Sequence, residues 1–519
     1  MPVGASNRAS CQELERDPAA ILRGQRPNLP NPLPIQGPTP VGAGFSAPIS
    51  TFLHEEFLMH PRCPSLCRPL ATFVRPLALL AVLILAAIPG VARANAFDVY
   101  GFEPRGMGMA GAQTSTADDY TAAYFNPSLL AFQKKASIGA SFNWFNHHLE
   151  TEALEGDTRP LEPVDPDDAL GWTLGFVFPF GGKVENRLSL GVGIYLPSDV
   201  VLSANTINPD SPNWYLHDSG NDRITIAASL GVRITDWLSL GVGLQMLGGI
   251  TGAIDFQLDA IEFIFDSRAF RADVSTAVAP LAGFTLNFDP IGLRFGFSYR
   301  GELEVGYELP TVFRVMGDLG DGRKELAVID FIVSGTVHYS PHIFSLGAQW
   351  RVIDPLLLTL EARFALWSRA PDPTVNVQLN LDSEVEMLQD ILGENFDANG
   401  KGKKPQFSNT LSVHFGAEYW FVKDFFALRA GYAFTPTPIP LQYGSTNLLD
   451  GDRHTASLGA GIYFHDPLEI FKSPIAVEIA YQMHIIPERE AIKKETASIA
   501  SYSYGGMINA LSAAIRYAF

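Results

Sequence analysis

The residues that could do covalent chemistry are few and badly spaced for it. Ser412, His414 and His454 offer a hydroxyl and two bases. Hydrolysis also needs a group that orients the base, and no recognisable spacing supplies one. Gly106-Met107-Gly108-Met109-Ala110-Gly111 matches the glycine fingerprint that brings a backbone close to a dinucleotide pyrophosphate. It follows no strand of a βαβ unit, so close backbone packing is the better reading and no cofactor is expected. Asp397-Ala398-Asn399-Gly400 begins like a calcium loop, but Lys401 takes a ligand position and Ser408 stands where a bidentate Glu belongs. No metal is expected there. The cysteines, Cys11, Cys63 and Cys67, leave the rest of the chain with neither a disulfide nor a thiolate site. What remains is binding chemistry, in scattered arginines able to hold a carboxylate bidentately and in apolar clusters able to take a hydrophobic guest.

The 519 residues carry 37 basic and 55 acidic side chains, a formal charge of −18, which argues against a nucleic-acid partner. With 47% apolar and 18% charged residues, most of the chain should fold. Residues 1–50 hold nine prolines and no apolar periodicity. Residues 1–58 read as a disordered or untranslated extension, with Met59 as a candidate start. Residues 59–94 read as a signal peptide: the apolar run at 77–88 follows Arg68 and Arg75 and precedes Ala-x-Ala sites at Ala92 to Ala96. At twelve residues that run falls short of the ~20 needed to span a bilayer as a helix. A buried core helix is the alternative. Removing residues 1–94 leaves 29 basic and 50 acidic groups, a net charge of −21, and no cysteine.

Beyond residue 94 no apolar run reaches helical membrane length, and alternation with period two takes over. Leu188, Leu190, Val192, Ile194 and Leu196 alternate with Ser189, Gly191, Gly193 and Tyr195. The pattern recurs at 224–234, 238–246, 291–299, 411–421, 456–464, 475–485 and 511–519. A soluble sandwich alternates too, but its outer face carries many Lys and Glu. Here the second face is Gly, Ser, Ala, Gln and isolated charges, which fits a membrane barrel with lipid outside and a lumen within. Tight turns at Thr235-Asp236, Asp289-Pro290, Asp354-Pro355 and Lys423-Asp424 alternate with connections of 18 residues or more at 150–170, 198–221, 251–272, 306–330, 369–407, 436–453 and 487–507. Counting Ser340-Pro341-His342 as a turn gives fifteen strands. Both ends in the periplasm require an even number, so residues 331–352 read as one strand bent at Pro341, leaving fourteen.

The predicted fold is therefore an all-β, 14-stranded antiparallel transmembrane barrel over residues 135–519; residues 95–134, where the alternation fails, are the plug, or hatch, in the lumen that the family resemblance given below implies. The terminal strand ends in Phe519, a signal for outer-membrane barrel-insertion machinery. In the hatch, Asn126-Pro127-Ser128 interrupts a helical stretch, giving either a hinge or an ordinary helix stop.

The sequence resembles the FadL family of outer-membrane transporters for long-chain fatty acids and related hydrophobic compounds, which includes TodX-type hydrocarbon channels. The matching residues are Gly106-Met107-Gly108, Ala117-Asp118-Asp119 and Asn126-Pro127, then Trp367-Ser368, Leu428 to Tyr432, Thr437 to Pro440, Asp450, Asp452-Arg453 and Ser457 to Gly459. The resemblance implies passive uptake by external capture, hatch rearrangement and lateral release at a kinked strand. The family's Asn-Pro-Ala is Asn126-Pro127-Ser128 here.

Parity places Arg223, Arg233, Arg294, Arg300, Glu361, Arg363, Glu418, Arg429, Glu478, His484 and Arg516 on the inner face. A lipid-facing Arg at midplane would cost ~2–4 kcal/mol. Internal pairing, including pairing with Asp118 and Asp119, is the expected role of most of them. Arg223 or Arg300 is the candidate carboxylate site. Phe263 and Phe265 in the third external connection, and Phe313 and Met316 in the fourth, are candidate capture residues, with mutual packing as the alternative. A short amphipathic helix is expected at 383–392. The expected partners are hydrophobic small molecules and outer-membrane lipids, with the chain acting as a monomer and not as an enzyme. The rival readings are a lipid hydrolase and a structural or adhesive barrel. A plug with a hinge argues against both.

Overall fold

The computed structural model describes residues 100–162, 164–198, 211–217, 224–259, 264–318, 323–371, 376–383, 395–397, 406–443, 446–467, 471–495 and 497–519. The N-terminal extension, the signal peptide and, except for Ser383, which ends a strand, the helix expected at 383–392 lie outside them.

Eighteen strands lie among the described residues, and fourteen of them close a ring. These are β1 (Ser137–Ala153), β2 (Ala169–Pro179), β3 (Leu188–Pro197), β4 (Thr225–Arg233), β5 (Leu238–Asp259), β6 (Ile264–Phe288) and β7 (Leu293–Arg300). After β8 (Leu303–Asp318) and β9 (Arg323–Ser340), which stand outside the ring, come β10 (Ile343–Ile353) and β11 (Leu356–Ala365). Two more strands outside the ring, β12 (Asn376–Ser383) and β13 (Asn395–Asp397), precede β14 (Thr410–Val422), β15 (Phe426–Thr435), β16 (Arg453–Phe464), β17 (Ile475–Ala491) and β18 (Tyr502–Ala518). Strand β7 pairs with β10, β11 pairs with β14, and β18 returns to β1 to close the barrel. The ring is antiparallel throughout, as the alternation of tight turns and long connections requires.

The alternation sorts by face. On β5, Leu240, Val242 and Leu244 face outward, Val242 being 63% exposed, while Ser239 and Gln245 are buried inside. On β17, Val477, Ile479 and Tyr481 point out, and Glu478, Gln482 and His484 point in. Large apolar side chains outside and buried polar ones inside reverse the order of a soluble protein and match a lipid-facing wall. The turns at the other rim use left-handed residues, Asp424 with φ 57° and Gly292 with φ 65°.

Three of the long connections are not loops. Strands β5 and β6 have 22 and 25 residues, far more than the 9–11 that cross a bilayer, so they project beyond the wall as a hairpin. Strands β8 and β9 form a second hairpin, and β8 runs parallel to β5 between Ile254–Thr311 and Asp259–Met316. Strand β12 adds to β9, and β13 to β12. The segments expected as loops at 251–272, 306–330 and 369–407 thus contain strands, because each finds its hydrogen-bond partners in another connection. Residues 331–352 are not one wall strand either. The part before Pro341 belongs to β9 above the rim and the part after it to β10, so the count of fourteen stands while the bend falls at the rim.

Residues 100–133 fill the lumen. They form two short helices, α1 (Pro104–Gly108) and α2 (Ala122–Phe125), and a 3-10 turn at Pro127–Phe132. Asn126 is extended (φ −160°), as a residue before proline should be, and its side chain accepts from Ser128 N–H at 3.2 Å. Phe102, Met107, Met109, Leu129 and Leu130 are all fully buried, so the hydrophobic core of this barrel is the plug itself.

Candidate functional site: a plugged chamber in the barrel

Glycines on the inner face make room for the plug. A Cβ on Gly231 would stand 2.6 Å from the Pro127 carbonyl oxygen, and one on Gly191 would stand 2.5 Å from Leu130 Cδ2. Gly108 of the fingerprint lies against Gly459, where a Cβ would stand 3.1 Å from the opposing Cα. The motif serves close backbone packing.

Charges hold the other side. Arg105 reaches Glu418 with two nitrogens, at 2.9 and 3.1 Å, and Arg429 Nε donates to the same carboxylate at 2.7 Å. Arg429 continues to Glu478 at 2.8 Å. Arg516 contacts Asp118 at 3.1 Å and Asp119 at 2.8 Å. Glu361 accepts the backbone N–H of Thr114 at 2.7 Å and pairs with Arg363. Plug and wall are thus joined by a chain of buried charge-assisted bonds.

Above the plug lies a chamber of about 150 Å³. Its apolar lining includes Phe125, Leu216, Ile343 and Trp367, and three arginines reach it: Arg300, Arg363 and Arg453. Arg300 ends β7, with its guanidinium 4.3 Å from the Tyr124 ring centre. Among the described residues, Arg453 Nε has no hydrogen-bond partner. Over the chamber, residues 211–217 pack on the sixth connection through an Asn213–Leu448 bridge and a fully buried Trp214. The plug is tied to this roof by Tyr100, whose hydroxyl lies 2.9 Å from His147 Nε2 and 3.1 Å from His217 Nδ1. Burial pulls the His217 pKa below its ordinary value although Asp450, 3.5 Å away, pulls the other way.

Of the residues singled out from sequence, Arg300 reaches the chamber, while Arg223 and Phe263 lie outside the described residues. For Phe265, Phe313 and Met316 the backbone register is described. Phe265 stands opposite Leu258, Phe313 opposite Phe256, and Met316 opposite Asp259, so the two apolar clusters occupy neighbouring strands. Sequence reasoning missed Arg453, although it shares the inner face of β16 with Thr455 and Ser457, and Tyr100, which no pattern marked. It also missed that Ser412 Oγ lies 3.1 Å from His414 Nε2, with His414 Nδ1 2.7 Å from the Ala110 carbonyl. Beside that pair β14 is laddered to β11 and β15 on both sides, and Arg363 is bound to Glu361 and to the Gly111 carbonyl.

Strand β3 pairs residue for residue with β2 and β4 without a register shift.

A closed antiparallel barrel with an apolar exterior, a plugged lumen and a guest-sized chamber is an outer-membrane transport barrel. The comparison with known families agrees. The chain belongs to the family of outer membrane protein transport proteins (OMPP1/FadL/TodX), which matches residues 85–484. It is accordingly an outer-membrane β-barrel transporter of hydrophobic compounds. Among solved structures, a Pseudomonas aeruginosa FadL homologue is similar in fold, with TM-score 0.51 at 16% identity over 80% of this chain and 98% of that one. The P. putida toluene transporter TodX aligns with TM-score 0.49 at 13% identity, over 81% of this chain and 99% of that one. No curated protein matches the sequence.

Proposed function

We propose that the protein takes up long-chain acyl carboxylates passively, by capture outside, passage through the chamber and rearrangement of the hatch. The observation that carries this reading is the meeting of Arg300, Arg363 and Arg453 in one chamber, whose other lining mixes apolar side chains such as Phe125, Leu216 and Ile343 with hydroxyls, histidines and Asp450. Volume alone does not choose the cargo, since a cavity of ~150 Å³ takes a benzene-sized guest as readily as a carboxyl head with its first methylenes. Charge does choose. The Arg453 guanidinium, whose Nε has no hydrogen-bond partner among the described residues, gains a charge-assisted bond from a carboxylate and nothing comparable from a neutral hydrocarbon. The rest of an acyl chain would need the roof or the plug to yield.

Capture falls to the paired hairpins β5/β6 and β8/β9, where Phe263, Phe265, Phe313 and Met316 are the proposed contacts. Arg223 is a proposed contact on the way in. Lateral release would require ladder bonds of β3 to part, whereas movement of the hatch leaves the wall intact. The test is binding of palmitate and of toluene to purified protein. Arg453→Ala and Arg300→Ala should each weaken palmitate binding by about tenfold or more, the scale of a lost charge-assisted bond, and leave toluene binding within twofold. Equal loss of both ligands would refute the carboxylate reading.

A further inference from the structure

The hatch is held by different forces along its length. Residues 103–119 carry every charged residue of the plug between Tyr100 and Gln133, namely Glu103, Arg105, Asp118 and Asp119. They are bound to β14 and β18 by the ion pairs of Arg105 with Glu418 and of Arg516 with Asp118 and Asp119, and to β11 and β16 by hydrogen bonds from the Thr114 and Ala110 N–H groups to Glu361 and Ser457. Residues 120–133 carry no charge. They meet β1–β7 through small sockets, neutral bonds and aromatic rings set against arginines. Tyr120 fits over Gly139 and Gly175, and Leu130 over Gly191 and Gly231. Ser229 Oγ donates to the Ala123 carbonyl at 2.7 Å, and Ser128 Oγ lies 2.6 Å from Thr285 Oγ1.

We propose that residues 120–133 are the gate of the chamber and residues 103–119 its fixed anchor, an assignment that rests on the transport reading. Moving the anchor would separate charges in a low-dielectric interior, which is strongly opposed. Moving the gate breaks hydrogen bonds between neutral groups, which water in the opened lumen can replace, and lifts aromatic rings off the guanidinium groups of Arg233, Arg294, Arg300 and Arg363, contacts weaker than a buried ion pair. Its departure also vacates the glycine sockets of β1–β6, leaving a track of small side chains along the wall. The gate is in touch with the guest, because Phe125 lines the chamber and Arg300 lies on the Tyr124 ring. A carboxylate that draws the Arg300 guanidinium toward itself removes it from the face of a gate residue.

No cysteine follows Cys67, so engineered disulfides can be placed cleanly. S128C/T285C would lock the gate to β6, and A110C/S457C would lock the anchor to β16, where Ala110 N lies 2.9 Å from Ser457 Oγ. Uptake of a fluorescent sixteen-carbon fatty acid is measured in cells carrying each protein, oxidised and then reduced. The gate lock should lower uptake at least tenfold, with recovery on reduction showing that the protein is folded. The anchor lock should keep more than half. Uptake through the oxidised gate lock, or equal loss in both locks with uptake intact in the unsubstituted chain, would overturn the gate assignment alone. An unsubstituted chain that takes up no probe would overturn the transport reading and the gate with it.

Discussion

The two halves of the barrel wall grip the same plug by different physics. Strands β11 and β14–β18 present Glu361, Glu418, Arg429, Glu478 and Arg516, each buried or nearly so and each in an ion pair. Strands β1–β7 present glycine and hydroxyl groups, with arginines that lie against aromatic faces of the plug, as Arg294 does 4.9 Å from the Phe132 ring centre. Ionic contacts are strong against removal of one partner and sensitive to angle. Socket contacts depend on volume. The first half should fail when a charge is lost and the second when a methyl group is gained.

The largest effect should come from Glu418→Ala. It leaves Arg105 with Asp118 and Arg429 with Glu478 but removes the carboxylate that both share, and breaking a buried pair from one side costs about 3–5 kcal/mol. Unfolding by urea in detergent micelles measures it. A loss under 1 kcal/mol would mean that water reaches the pair and that the ionic half is no firmer than the other.

Gly231→Val attacks the opposite half. Its new Cβ would collide with the Pro127 carbonyl oxygen and the Ala131 backbone nitrogen, 2.6 and 2.7 Å away. Overpacking of this kind costs about 1–3 kcal/mol. Because the wall strand is laddered on both sides and the plug is not, the plug should give way. Ion conductance through planar bilayers should rise in G231V while the barrel stays heat-modifiable on gels. Conductance unchanged from the parent would show that the plug can shift within its socket and stay sealed. A milder cut, Thr285→Val, removes the hydroxyl shared by Asn126 and Ser128 and should cost about 1–2 kcal/mol, since it also leaves buried partners unsatisfied.

The contrast between halves was partly legible in the sequence. Alternation fixed which side of each strand faces in, so Glu418, Arg429 and Arg516 could be placed in the lumen before any coordinates, and Asp118 and Asp119 could be named as partners. A period of two is a local property, and each strand carries its own. The roles of the long connections were not legible, because the pairing of β5 with β8 joins residues more than fifty positions apart in chain order. Arg453 stands in an Asp-Arg pair whose spacing marks no binding role. Its position in the chamber depends on where the plug stops, which no strand pattern encodes. Tyr100 shows the same limit, since its two histidine contacts come from β1 and from the second connection.

The smallest predicted effect lies at the mouth above the ionic half. Lys493 Nζ donates to the carbonyl oxygens of Gln442 at 2.8 Å and Thr446 at 3.0 Å, close to the Tyr502 ring, clamping the sixth and seventh connections together. Burial pulls its pKa down to about 8 from the ordinary 10.5. Below pH 8 the ammonium is charged both folded and unfolded, and the folded form bears the desolvation. Between pH 8 and 10.5 the folded protein sheds the proton while the unfolded chain keeps it, so stability should rise through that window and level off above it. Tyrosines titrate in the same range, so the informative quantity is the difference from Lys493→Met. The urea midpoint of the parent should gain on that of K493M between pH 7.5 and 10. Parallel pH profiles would mean that the clamp holds its charge at all these values, supported by the two carbonyls rather than opposed by burial.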